Sequence, residues 1–222
     1  MCFQRFKMEN KHHWAEFFGT FLLVFFGTGA IIISEEYNGI LQAFGIGVVF
    51  GITVWLLVQF LGKFSDCHIN PAVTISFCFN KTIEIKKALF YIFFQLLGAV
   101  LASLLLHYIF PSNQKLGNTI PSGSVWESFF LELGLSFILM GVIVVSNAVL
   151  SLKKWAPFLI GFTVFLEAWL AGSICGASMN PARSFGPSII SSTTDFLWIY
   201  FLAPILGMLF FLLISHFCNS KK

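Results

Sequence analysis

Six apolar stretches of membrane-spanning length divide this 222-residue chain, at roughly 14–34, 40–62, 88–110, 128–151, 156–175 and 195–217. A helix of about 20 apolar residues crosses a hydrocarbon core, so the chain has room for six spans joined by short connections. Polar punctuation separates them at Glu35-Glu36, Lys63 to Asp66, Pro111 to Ser124, Lys153-Lys154 and Thr193 to Asp195. Charged residues make up 10% of the chain and hydrophobic ones 57%, against about 25% charged in a soluble domain. Such a chain cannot cover its surface with solvated side chains, which excludes a disordered protein and argues against a soluble enzyme. A net charge of +3 offers no basic stripe for nucleic acid. The first apolar run, Phe17 to Ser34, follows basic residues as a secretory signal would. It is long enough to span and no A-x-A site ends it, so a retained span is expected.

Six spans place both termini on one side. Arg5, Lys7, Lys11, Lys63, Lys81, Lys86, Lys87, Lys153, Lys154, Lys221 and Lys222 fall on that side, and only Lys115 and Arg183 on the other. Eleven cations against two is a strong positive-inside bias, so the termini are expected in the cytoplasm. Trp14, Trp126, Trp155 and Trp198 lie near span ends, where amphipathic rings favour the interface. Asn80-Lys81-Thr82 matches a glycosylation sequon but sits on the cytoplasmic side and is discounted. The five cysteines (Cys2, Cys67, Cys78, Cys175, Cys218) form no C-x-x-C pair and no zinc spacing, and read as free thiols.

The chain also resembles itself. Asn70-Pro71-Ala72 recurs as Asn180-Pro181-Ala182 at an offset of 110. Tyr91 and Gly98 recur as Tyr200 and Gly207 at 109, and Glu16 with Thr20 recurs as Glu132 with Ser136 at 116. The whole chain, 1–222, reads as one channel domain built of two repeats, approximately 14–110 and 126–217. Each repeat has three spans and a short apolar segment, about 71–79 or 181–191, too short to cross and therefore a candidate re-entrant piece. An odd number of spans per repeat sets the two in opposite orientations, the plan in which sites form near the midplane at the repeat interface.

Asn is a strong N-cap and Pro is favoured at the first helical position. Asn70 and Asn180 therefore each read as the cap of a half-helix that begins inside the membrane. Ten residues rise about 15 Å, half of a ~30 Å core, so two half-helices entering from opposite faces meet at their N-termini. Capping occupies each Asn oxygen and leaves the amide NH₂ to donate to a passing oxygen. The two positive dipole ends repel cations, hydronium included, while water and other neutral hydroxylic molecules are accepted.

His68-Ile69-Asn70-Pro71-Ala72-Val73-Thr74 and Ser178-Met179-Asn180-Pro181-Ala182-Arg183-Ser184-Phe185-Gly186-Pro187 closely resemble the two signature boxes of the aquaporin/aquaglyceroporin (major intrinsic protein) family. The resemblance runs from Ala15-Glu16-Phe17 through Tyr91, Gln95 and Gly98 to Pro204 and Gly207. It implies an all-α membrane protein with an aquaporin-like inverted repeat of six transmembrane helices plus two re-entrant half-helices. It further implies one pore per subunit and a homotetramer in the lipid bilayer of the plasma or cell inner membrane. No cofactor, metal, catalytic residue or nucleic-acid partner is expected.

Arg183, at the N-terminus of the second half-helix, opposes the helix dipole, and its counterpart in the first half is Val73. A charge so placed within the membrane points to function; its expected role is to donate to solute oxygens and repel cations. The resemblance makes Arg183 one of four constriction residues, with Phe50, Ala168 and Ala177. Orthodox water channels usually carry His at the Ala168 position and Cys or Thr at that of Ala177, so two alanines imply a wider, less polar filter. Glycerol channels usually carry Asp and Lys where this chain has Ser184 and Ser188, the water-channel choice. The Gly-Ala-Ser-Met approach to the second box is similar to the nodulin-26-like branch, whose members pass glycerol and metalloid acids.

Four positions stay open. A one-residue slip would exchange Ala168 for Glu167 or Trp169 in the filter, and Glu167 either touches the pore wall or makes a structural contact. Glu16 and Glu132 are expected to accept hydrogen bonds from irregular backbone before each half-helix, with a proton relay as the other reading. His68 is expected to brace its loop or to line the pore mouth. Gly47 and Gly51 allow close helix packing. The function expected is passive conduction of water and other small neutral solutes. The alternatives are a channel mainly for glycerol, urea, ammonia or metalloid acids, and a secondary transporter, which also uses inverted repeats. An enzyme is not expected: no H-E-x-x-H or G-x-S-x-G motif occurs.

Overall fold

The computed structural model describes residues 2–219, with side chains over 12–218. The side chains of Cys2, Arg5, Lys7 and Lys11, and Lys221 and Lys222 altogether, lie outside the described residues. The described residues form helices only: α1 (Cys2–Glu36), α2 (Gln42–Leu61), α3 (Pro71–Phe79), α4 (Ile85–Ile109), α5 (Val125–Ala148), α6 (Leu150–Lys153), α7 (Ala156–Cys175), α8 (Pro181–Ile190) and α9 (Leu197–Asn219). Six are long and apolar enough to cross a membrane: α1 over His12–Glu36, α2, α4, α5, α7, and α9 over Leu197–Cys218. The chain is an integral, multi-pass membrane protein.

Two spans begin earlier than the apolar runs suggest. α4 starts at Ile85 and takes Lys86 and Lys87 into its first turn, and α5 starts at Val125 and includes Glu127. Long charged side chains at a span end reach the interface while their stems stay apolar, so counting apolar residues trims a turn that the backbone keeps. Both short helices begin at proline, directly after an Asn in extended conformation.

α2 packs on α7, α1 on α4 and α2, α5 on α9 and α7, α4 on α8 and α3, and α9 on α3 and α8. Exchanging the first set (α1, α2, α3, α4) for the second (α5, α7, α8, α9) reproduces the same pairings. Small residues permit the closest approaches. A Cβ on Gly98 would clash with the Phe17 carbonyl oxygen, and one on Gly207 with the Leu133 carbonyl oxygen. These are equivalent crossings in α1–α4 and α5–α9. Gly51 and Gly161 similarly let the α2 and α7 backbones touch.

Burial is reversed relative to a soluble protein. Phe18, Phe26, Phe93, Phe130, Leu170 and Phe210 face outward, while Glu16, Thr20, Gln95, Glu132 and Ser136 are fully buried. Exposed rings suit lipid tails, and the polar groups gather on the inner side, where backbone outside the helices needs partners.

Candidate functional site

The two box loops share one backbone plan. Cys67 and Ile69 precede α3 with φ of 46° and 44°, and Ala177 and Met179 precede α8 with φ of 42° and 51°. Left-handed backbone is costly for non-glycine residues, most of all for β-branched Ile69, and persists only where surroundings over-determine it. Two buried glutamates supply the constraint. Glu16 accepts from the His68 and Ile69 amides at 2.9 and 2.6 Å, from Ser65 Oγ at 3.2 Å and from Gln95 Nε2 at 2.8 Å. Glu132 accepts from the Ser178 and Met179 amides at 2.7 and 2.8 Å.

Asn70 Oδ1 accepts from the Ala72 amide at 2.9 Å, and Asn180 Oδ1 from the Ala182 and Arg183 amides at 3.0 and 3.4 Å. These are the helix caps. The amides are not wholly free, however. Asn70 Nδ2 donates to the Met179 carbonyl and Asn180 Nδ2 to the Ile69 carbonyl, both at 2.8 Å. An NH₂ group carries two hydrogens, so each Asn keeps one for the lumen rather than two.

A cavity of about 660 Å³ runs past both boxes. Asn70, Asn180, Phe50, Ala168, Ala177 and Arg183 all line it, so the four filter candidates from α2, α7, the second loop and α8 come together on one lumen. Glu167 and Trp169 are not in its wall. Trp169 packs on Phe44 and Phe165. Glu167 is 5% exposed, and neither of its carboxyl oxygens has a hydrogen-bond partner. Of the boxes' neighbours, His68 does both things left open by the sequence: its Nδ1 pairs with Thr74 Oγ1 at 3.1 Å, its ring stacks on Phe77, and it lines the cavity. Cys67 lines the cavity; Cys175 does not.

Arg183 is 2% exposed. Its Nη1 donates to the Gly117 carbonyl at 2.8 Å, and its guanidinium carbon lies 5.2 Å from the centre of the Phe50 ring. Its Nε has no partner within the protein. The sequence gives little hint of the connection that holds it. Residues 111–124 read as polar punctuation, yet Leu116 is buried and Gly117, with φ of 64°, presses on Thr28. Asn118 Oδ1 accepts from Ser188 Oγ at 2.7 Å, and Thr119 Oγ1 donates to Ser184 Oγ at 2.7 Å. One signal was available: an isolated Leu-Gly in a polar loop suggests a buried anchor followed by left-handed backbone.

At the opposite end, Asp66 accepts from Lys87 Nζ and, at 3.1 Å, from the Tyr91 hydroxyl. Burial alone would raise its carboxyl. The Lys87 hydrogen bond and charge outweigh that effect and hold it below its usual 3.8.

The family model for the major intrinsic protein matches residues 4–214. Nodulin-26 of Glycine max is 36% identical over 195 residues, covering 87% of this chain and 72% of that one. Aquaporin NIP1-2 of Arabidopsis thaliana is 37% identical over 202 residues, covering 87% and 69%. Among solved structures, the aquaglyceroporin from Plasmodium falciparum superposes with a TM-score of 0.80 at 26% identity, covering 93% of this chain and 95% of that one. With these likenesses added to its six spans and paired capped half-helices, the chain belongs to the major intrinsic protein family.

Proposed function

We propose that this protein is a passive membrane channel, not an enzyme, conducting water and other small neutral solutes while excluding ions and protons. The observation that carries the reading is the pair Asn70 and Asn180, each capping one half-helix with its oxygen and lining the same lumen. Each offers a remaining amide hydrogen to a solute oxygen, beside two positive helix ends that disfavour a cation.

Phe50, Ala168, Ala177 and Arg183 form the selectivity filter. Arg183 supplies the fixed charge, and Phe50 supplies an apolar wall. Glu16, Glu132 and His68 support the half-helices. The two alanines favour a second reading of the solute range, in which glycerol, urea, ammonia or metalloid acids pass as well. The likeness to nodulin-26 and to an aquaglyceroporin supports that breadth. The chain acts as one channel domain of two inverted repeats, with its termini in the cytoplasm as the eleven cations on that side favour. The family resemblance supports assembly as a homotetramer.

Stopped-flow shrinkage of proteoliposomes tests the channel class. Water flux should be linear in the osmotic gradient and indifferent to sodium or proton gradients. Saturation, or coupling to either ion, would assign a transporter instead.

A further inference from the structure

The cytoplasmic half of the lumen carries an unneutralised cluster of lysines. Lys63, Lys87, Lys153 and Lys154 all line the same cavity as the two boxes, with Asp66 as its sole carboxylate. They arrive from three separate places: the connection after α2, the first turn of α4, and the end of α6 with the residue that follows it. Asp66 is occupied by Lys87, the one ion pair among the described residues. Lys63 and Lys153 have no carboxylate partner there, and Lys154 lies over the Trp155 ring.

A positive-inside bias explains why lysines lie on this side of the membrane. It does not by itself explain why four of them border the same cavity as the two boxes. A concave wall with apolar backing focuses the potential of these charges and raises the local concentration of anions. Three flexible ammonium groups, each with three donors, can close around an oxyanion that has several charged oxygens. A monovalent ion meets one of them at a time. A bulky polyanion held by these lysines sits in the same cavity as the boxes and so obstructs neutral solutes.

We propose that Lys63, Lys153 and Lys154 form a cytoplasmic binding site for a multivalent phosphate anion, and that its occupancy closes the channel from the inside. The position within the lumen favours a soluble polyphosphate; a phosphorylated lipid headgroup offers the same chemistry from the bilayer. Obstruction rests on the channel reading above, whereas binding does not.

The test uses inorganic tripolyphosphate with the full-length protein. Calorimetry on detergent-solubilised protein should show binding that weakens about tenfold or more in the K63Q/K153Q/K154Q variant. Binding should also fade as salt approaches ~1 M, where the Debye length falls to ~3 Å. The variant keeps eight of the eleven cations on that side, so its orientation bias stands. In neutral-lipid proteoliposomes, tripolyphosphate on both faces should slow osmotic shrinkage of the parent protein and leave the variant unaffected. A second arm replaces it with phosphatidylinositol bisphosphate in the bilayer. Slowing in that arm alone, lost in the variant, supports the site and assigns it to lipid. Wild-type binding without water conduction would retire the channel reading and keep the site. Water conduction with neither binding nor slowing by either phosphate, or equal effects on parent and variant, would overturn the inference.

Discussion

Asn70 and Asn180 are crossed: each caps its own half-helix and donates its side-chain amide to the carbonyl immediately before the other, at 2.8 Å. The bond partners, Met179 and Ile69, are each one of the two left-handed non-glycine residues that precede their half-helix. Each loop, constrained by the glutamate of its own repeat, is also bonded by the half-helix cap of the opposite one. This ties the donor array of the lumen to the joint between the repeats.

The crossing makes the two asparagines energetically dependent. Replacing either by Ala removes a cap worth about 0.5–2 kcal/mol and strips a buried carbonyl of its donor. Equilibrium unfolding in mixed micelles of N70A, N180A and the double variant should give a coupling of about 0.5 kcal/mol or more. Strict additivity would mean that the two loops fold independently.

In the proposed filter, Ala168 is the residue that sets the width. Its replacement by His adds a ring to the lumen that Arg183 also lines. Steric discrimination of this kind is worth about tenfold or more, so the A168H variant should lose glycerol and urea flux by that factor relative to water. Unchanged solute ratios in stopped-flow assays would remove Ala168 from the constriction.

Mercurial reagents should distinguish the two cysteines beside the boxes. Cys67 borders the lumen, whereas Cys175 is fully buried outside its wall, with Sγ directed to the Ala171 carbonyl. Block of water flux should disappear in C67S and persist in C175S. The opposite pattern would place the lumen on the wrong side of the second loop.

The Asp66–Lys87 pair carries a small acid dependence. Because the folded carboxyl lies below its usual 3.8, its contribution is present above about pH 4 and is lost as pH falls through the depressed value. Both side chains are partly exposed, at 44% and 35%, so the effect stays below about 1 kcal/mol. Unfolding midpoints of K87M and parent should differ at pH 7 and draw together as pH falls below 3.8, and a difference undiminished in acid would assign the stabilisation to packing of the Lys stem.

The sequence exposes those features whose physics is local. Span length follows from apolar count, and the half-helices Pro71–Phe79 and Pro181–Ile190 follow from Asn-Pro chemistry. The extra turns at Ile85 and Val125 stay hidden because charged residues at an interface read as loop. The crossed amide bonds stay hidden for a different reason: each half alone leaves its Asn amide free, and only the assembled pair uses it. Gly117, Asn118 and Thr119 hold Arg183 and α8 through a backbone carbonyl and small polar groups, which leave almost no signature in composition. Glu167, buried without a hydrogen-bond partner beside Ala168, has no account in either the sequence or the packing.

Conduction of neutral solute without ions can be tested on one preparation. Proteoliposomes loaded with a pH-sensitive dye are subjected to an osmotic step and, separately, to a pH step. Shrinkage should be much faster than in empty vesicles and have a low activation energy, while the proton leak stays equal to theirs. Water permeability no greater than that of empty vesicles, or a proton leak that rises with the amount of protein, would contradict it.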